Sequence, residues 1–268
     1  MRASEEKILR FAATVLGALP DGLGQFRAAH RWAVTRRPAG PTVRVQRMAD
    51  GTRMSLDLAD RTQAIAYLVR RHEAEVSQHV VRRLPRGGVF FDVGANVGLI
   101  TFAVARKRPD ATIIAFEPNS VNVERWECNR GLNAASAQLV AEAVTDTPGT
   151  ALLTLDLAAD TGSGRLADHG IEVRALTLDD YCGQAGIGRI DIMKMDIQGH
   201  EATALRGARR LLGEGRIGAL LLEEVEVDPG LHAELTGFGF VREPVRSVGL
   251  RRFRSHPPMG DAAYVRVP

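Results

Sequence analysis

The stretch Val89-Phe90-Phe91-Asp92-Val93-Gly94-Ala95-Asn96-Val97-Gly98 decides the fold. Three apolar residues run into an acid, and two glycines follow with three residues between them. Leu99, Phe102, Ala103 and Val104 then keep a helical apolar spacing. That order predicts a buried strand, a tight turn and a helix start. Glycine lets a turn backbone approach a ligand closely, and a helix N-terminus offers unpaired N–H groups. The pattern suits a nucleotide-type cofactor loop without the third glycine of the dinucleotide fingerprint. Taken alone, it also fits a strand–helix junction that binds nothing.

The next segment favours the cofactor loop. Ala111-Thr112-Ile113-Ile114-Ala115-Phe116 is a second apolar, β-branched run that ends in Glu117-Pro118. An acid at that strand end is placed to accept hydrogen bonds from ribose hydroxyls. Pro118 stops the strand, and a helix is expected from about Ser120 to Arg130.

Strands and helices alternate from Gly88 onward. Further strands are expected at Ala137 to Ala141, Ile190 to Asp196, Ala219 to Glu224, Gly239 to Glu243 and Ala262 to Val267. Such alternation argues an α/β fold with a mostly parallel sheet and helices on both faces. An insert from Thr150 to Ala175 holds two short strand-like runs around Asp160-Thr161-Gly162-Ser163-Gly164. The N-terminal part differs. Helical patterns cover about Ser4 to Leu19 and Leu23 to Thr35, and Arg37-Pro38-Ala39-Gly40-Pro41 breaks the chain. Two alternating runs around Ala49-Asp50-Gly51 predict a β-hairpin, and two more helices follow at about Arg61 to Arg70 and Glu73 to Leu84. Residues 1–86 are therefore expected to form a helical and β-hairpin cap, and residues 87–268 the cofactor domain.

Composition narrows the classes. The 268 residues are 45% hydrophobic, enough for a full core. Cys128 and Cys182 are the only cysteines, too few for a disulfide framework and without metal-ligand spacing. A reducing cytoplasm is the natural setting. The formal net charge of +3 is too balanced to argue for nucleic acid. No apolar run is long enough to span a bilayer, so no transmembrane segment is expected.

At this point the chain resembles a family. Phe91-Asp92-Val93-Gly94-Ala95-Asn96-Val97-Gly98, Phe116-Glu117-Pro118 and Ile190-Asp191-Ile192-Met193-Lys194-Met195-Asp196-Ile197-Gln198-Gly199-His200-Glu201 are similar to the FkbM family. Asp179-Asp180 and Leu205-Arg206-Gly207-Ala208 fit as well. Gln198 departs from the many members that carry an acid there. The resemblance implies a Rossmann-like class I methyltransferase with a seven-stranded sheet whose last strand runs antiparallel. It implies S-adenosylmethionine as cofactor and a hydroxyl of a sugar, glycoconjugate or natural product as acceptor. A homo-oligomer is left open.

Ligands of open α/β sheets sit outside the C-terminal strand ends. Asp92, Glu117, Asp196 and Glu223 all fall there, and such acids need hydroxyl, ammonium, sulfonium or metal partners. Asp92 and the backbone at Gly94 are expected at the cofactor's amino-acid end, with Asn96 and Gly98 as further cofactor-binding positions. Glu117 is expected at its ribose and Ala143 at its adenine edge, with Pro118 also cofactor-binding. Asp196 is the sharpest catalytic candidate, as a base or as ligand to a divalent metal such as magnesium. His200 and Glu223 are the next candidates. Asp196 as a helix cap and His200 as an ordinary first-turn residue are the plainer readings. Lys194 is expected to pair with an acid inside the sheet, Asp191 to be structural, and Glu201 to complement the helix dipole. His72 and Glu73 are placed to close the site from the cap. Arg242, Arg246, Arg251, Arg252 and Arg254 read as a solvated loop before an anion site. A nicotinamide-dependent oxidoreductase and a non-catalytic scaffold are the competing functions.

Overall fold

The computed structural model describes residues 3–19, 24–35, 42–155, 164–224, 229–245 and 260–266. The cap contains α1 (Ala3–Ala18), α2 (Gln25–Thr35), the hairpin β1 (Val43–Arg47) and β2 (Arg53–Asp57), α3 (Arg61–Val69) and α4 (Ala74–Arg83). The central sheet then begins with β3 (Val89–Val93), α5 (Leu99–Lys107), β4 (Thr112–Phe116), α6 (Ser120–Asn133) and β5 (Gln138–Val140). It continues, after an insert, with β10 (Ile190–Met195), β11 (Ile217–Glu224), β12 (Phe240–Pro244) and β13 (Gly260–Arg266).

These seven strands lie in the order β12-β13-β11-β10-β3-β4-β5. β11, β10, β3, β4 and β5 run parallel, and β13 pairs antiparallel with both β11 and β12. The mixed seven-stranded sheet with an antiparallel last strand agrees with the sequence expectation.

The period of two along each strand sorts side chains between two cores. Phe90, Ile113, Ile192 and Leu221 face one core, with Phe102 of α5 and Trp126 of α6. Phe91, Phe116, Met193 and Leu220 face the other. Helices α7 (Leu178–Gln184), α8 (Glu201–Arg206), α9 (Arg209–Gly213) and α10 (Pro229–Gly237) cover that second face. The cap shares the first core through Leu9, Met54, Leu56, Leu68 and Val80. Asn129 ties cap to sheet. It accepts from Ser55 N at 2.6 Å and donates to Val97 O at 2.9 Å.

The insert holds more strands than expected. Two short strands were predicted around residues 160–164, but residues 156–163 lie outside the described residues. Around them, β6 (Ala143–Val144), β7 (Gly149–Thr154), β8 (Arg165–Ala167) and β9 (Ile171–Leu176) form a separate four-stranded sheet in the order β6-β9-β7-β8. β7 and β8 flank residues 160–164, whereas β6 lies before the expected span, because a two-residue strand carries no periodic signal.

Candidate active site

The turn after β3 is fixed by backbone bonds to the neighbouring strand. Gly94 N and Ala95 N both donate to Phe116 O at 3.0 Å. Asn96 N donates to Glu117 Oε2 at 2.9 Å, and Asn119 N to Glu117 Oε1 at 2.9 Å. Glu117 thus clamps the turn to the end of β4. It is nearly buried, and burial pushes its carboxyl up to about 7 against the opposing bonds from Asn119 and Asn96.

Gly94 and Gly98 are required for a reason the sequence did not reveal. Both have positive φ, 76° and 87°. A Cβ on Gly94 would lie 1.9 Å from Asp196 O, and one on Gly98 would lie 2.3 Å from the Phe102 ring. The close approach at these glycines is to the protein's own backbone and side chains.

A second cluster sits beside the turn. Lys194 Nζ lies 3.6 Å from Asp92 Oδ1 and 3.4 Å from Asp196 Oδ2. Asp92 is wholly buried and accepts from Thr101 Oγ1 at 2.6 Å. Burial raises the Asp92 carboxyl, opposed by Lys194 and Thr101. Burial alone would lower the Lys194 ammonium, but Asp196 and Asp92 outweigh it and hold the amine protonated. Gln198 Nε2 donates to Asp196 Oδ1 at 2.9 Å. Gln198 itself adopts φ 56°, a left-handed conformation that turns the chain toward α8. Ile197 N donates to Glu201 Oε1 at 2.9 Å and closes that turn.

One cavity of about 270 Å³ opens over the C-terminal ends of β3, β4 and β10. It brings together Gly94, Asn96, Glu117, Pro118, Ala143, Asp196 and His200. Asp92 and Gly98 do not line it. Asp92 shares the strand face of Phe90, so its carboxylate points beneath the turn toward Thr101 and Lys194. Gly98 lies behind the turn against Phe102. Asp92 thus bonds Thr101, and Gly98 packs on the Phe102 ring. The side chain of Glu223, and Arg246, Arg251, Arg252 and Arg254, lie outside the described residues.

His200 occupies the N-cap of α8, and its side chain makes no capping hydrogen bond. Among the described residues, no group of three or more His, Cys, Asp or Glu could hold a metal ion. Lys194 supplies positive charge next to Asp196. Asp191 is structural as expected, accepting from Val89 N at 2.9 Å.

The sequence missed several walls. Arg61 and Thr62 enter from the first turn of α3, and Leu153, Gly164 and Leu166 enter from the insert sheet. His72 and Glu73 line the cavity from the cap, with His72 Nε2 3.5 Å from Glu73 Oε1. Glu73 has φ 39°, a conformation uncommon for a non-glycine residue that it shares with Asn96 and Gln198 of the same cavity.

Asn96 Oδ1 is buried without a hydrogen-bond partner beside Glu117 and the cavity. An unpartnered acceptor next to a carboxylate suits a ligand that brings hydroxyl and amino donors.

The family model of the methyltransferase FkbM domain matches residues 92–245. The 31-O-demethyl-FK506 methyltransferase FkbM of Streptomyces tacrolimicus is 28% identical over 199 residues, 61% of this chain and 76% of that protein. The 2-O-methyltransferase NoeI of Sinorhizobium fredii is 25% identical over 187 residues, 60% of this chain and 75% of that protein. The AMB antimetabolite synthetase AmbE of Pseudomonas aeruginosa is 27% identical over 46% of this chain, which spans only 8% of that protein. This chain likewise spans 61% of Methyltransferase 1 of Beauveria bassiana. The SAM-dependent methyltransferase structure from Agrobacterium tumefaciens overlays with a TM-score of 0.48 at 11% identity, over 85% of this chain and 71% of that one. With the family model covering more than half of its length, the chain belongs to the FkbM methyltransferase family.

Proposed function

We propose that this protein is an S-adenosylmethionine-dependent O-methyltransferase acting on a hydroxyl of a sugar, glycoconjugate or natural-product intermediate. One observation carries the reading. The Gly94–Asn96 turn, the Glu117–Pro118 strand end and the Asp196–His200 turn converge on one cavity. Two of the relatives bear O-methylation in their names.

In this reading Asn96 and Glu117 hold the cofactor's polar groups, and Ala143 and Pro118 give it apolar contact. The cofactor supplies an electrophilic methyl group when bound. The chain's own task is to place the acceptor oxygen and remove its proton. Asp196 takes that proton, while Lys194 and Gln198 fix its carboxylate. Residues 1–86 shape the acceptor side through Arg61, Thr62, His72 and Glu73, and residues 87–268 bind the cofactor.

Calorimetry with S-adenosylmethionine and with NAD tests the cofactor, with binding expected for the first alone. Tight NAD binding without S-adenosylmethionine binding would move the protein to hydride chemistry. Asp196→Asn keeps the shape and removes the charge. On a panel of sugar and macrolide hydroxyl acceptors, turnover is expected to fall about 100-fold with near-normal cofactor affinity. Normal turnover in that variant sinks the base assignment. Activity that survives EDTA accords with a direct base, whereas loss restored by magnesium reinstates a metal.

Glu117 makes cofactor affinity depend on pH. A ribose hydroxyl donates to the carboxylate, so binding favours the ionised form. Below about 7 the free protein holds a proton there. Affinity is therefore expected to weaken roughly tenfold per pH unit below that value. Glu117→Gln should flatten the profile, and Glu117→Ala should cost about 1.5–3 kcal/mol of binding. Fold stability follows the same proton. The raised carboxyl gives stability that is fully present below its unfolded value of 4.5 and lost as pH rises through about 7. A titration calorimetry series from acid to alkaline pH checks the first effect, and urea unfolding the second.

A further inference from the structure

Glu73 holds a backbone conformation that capping does not explain. It is the N-cap of α4, with φ 39° and ψ 52°, yet its side chain makes no capping hydrogen bond. Left-handed backbone is uncommon outside glycine and persists where the surroundings impose it. Three of the five described non-glycine residues with positive φ line the cavity, namely Glu73, Asn96 and Gln198. Of these three, Glu73 alone comes from the cap. Its partly exposed carboxylate reaches His72 Nε2 at 3.5 Å and is otherwise turned to the opening.

The groups around Glu73 leave a surplus of negative charge. Asp92 and Asp196 share one ammonium, that of Lys194. Glu73 adds a third carboxylate within electrostatic reach of it. Burial lowers the Lys194 ammonium, and Asp196, Asp92 and Glu73 raise it. Burial raises the Asp92 carboxyl, and Glu73 adds to that rise. Other charges on the walls are engaged elsewhere. Arg61 has a partner of its own, and Glu142 is matched by Arg174 at 3.0 Å. Such a surplus suits a ligand of net positive charge. S-adenosylmethionine is one. The ammonium and carboxylate of its amino-acid end cancel, so its sulfonium is left as the net charge. The sulfonium also carries the methyl group, which must meet the acceptor side where the cap stands. Demethylation leaves S-adenosylhomocysteine, the same skeleton with an uncharged thioether.

We infer that Glu73 faces the cofactor's sulfonium and makes the site prefer the charged methyl donor over its uncharged thioether product. The inference rests on S-adenosylmethionine as cofactor, and needs neither the acceptor nor Asp196 as base. Calorimetry of the full chain with three ligands tests it without any turnover. They are S-adenosylmethionine, S-adenosylhomocysteine and 5′-methylthioadenosine, which is an uncharged thioether without the amino-acid end. Glu73→Gln keeps the shape and removes the charge. It is expected to weaken S-adenosylmethionine about fivefold, the size of one partly screened charge pair, and to leave the other two within about twofold. Glu73→Asp keeps the charge and should retain most of the preference. Glu75→Gln removes the same charge from the first turn of α4, outside the cavity, and should change none of the three. Added salt should narrow the preference of the unaltered protein and barely touch that of Glu73→Gln. Circular dichroism checks that each variant is folded. Equal weakening of all three ligands in Glu73→Gln would assign the residue a structural role. Equal weakening of S-adenosylmethionine and S-adenosylhomocysteine, with 5′-methylthioadenosine unchanged, would assign it to the amino-acid end. No change with any ligand would place it clear of the cofactor. Each of these overturns the inference. An unaltered protein that binds none of the three removes the cofactor reading, and this inference with it.

Discussion

Lys194→Met is expected to destabilise the fold by about 3–5 kcal/mol, the cost of stranding one partner of a buried ion pair. Lys194 faces two carboxylates, Asp92 at 3.6 Å and Asp196 at 3.4 Å, and Asp92 has no exposure at all. Methionine preserves the volume and removes the cation. Asp92 then keeps only the Thr101 hydroxyl and must either stay charged in an apolar core or take up a proton. The second route gives the loss a pH dependence. A carboxyl raised further above its unfolded value of 3.8 stabilises the fold at low pH, and that stability is lost as pH rises. The deficit of the variant should therefore be smaller at acid pH than at neutral pH. Urea unfolding across pH measures it, and the double variant Asp92→Asn/Lys194→Met should recover part of the loss. A deficit under about 1 kcal/mol, the size of an exposed pair, would show that water reaches the cluster.

Gly94→Ala is expected to be nearly as damaging, at about 2–5 kcal/mol, and to disable the cavity. Two effects add. A left-handed conformation costs a non-glycine residue about 1–2 kcal/mol. The new Cβ also meets Asp196 O at 1.9 Å, so the ends of β3 and β10 must separate, an overpacking cost of about 1–3 kcal/mol. Gly87 isolates the first effect, because it has φ 67° with nothing within 4 Å of its virtual Cβ. Gly87→Ala should cost only the conformational part. Thermal unfolding of the two variants gives the difference, and equal losses would deny the close approach. The Gly94 shift also displaces Asp196, so cofactor affinity and turnover should fall together in any Gly94→Ala protein that folds.

Much of this was legible in the residues. The boundaries of β3, β4 and β10 follow from short apolar runs bounded by turn signals, and a buried parallel strand leaves that trace. The Glu117–Pro118 strand end and the Asp196–His200 turn were readable because strand ends on one edge of a parallel sheet must share a crevice. Lys194 was readable as a partner of acids, since a lysine within an apolar strand needs one. The four-stranded insert sheet was not readable. β6 and β8 are two and three residues long, and their pairing with β9 and β7 is set by contacts across the turn, which no local pattern encodes.

By itself the sequence determined the alternating α/β order, the seven strands, the cofactor-type turn and the acids at the strand ends, because each is written in local spacing and residue type. Tertiary structure alone decided which of those acids face the cavity. Asp92 and Glu117 follow the same pattern in sequence, yet strand alternation buries Asp92 beneath the turn while Glu117 rims the opening. It also decided that Arg61 and Thr62, before the family-matched segment, join Leu153 and Leu166 around the same opening. Contacts between residues so far apart in the chain arise from packing, and packing is a property of the assembled cores.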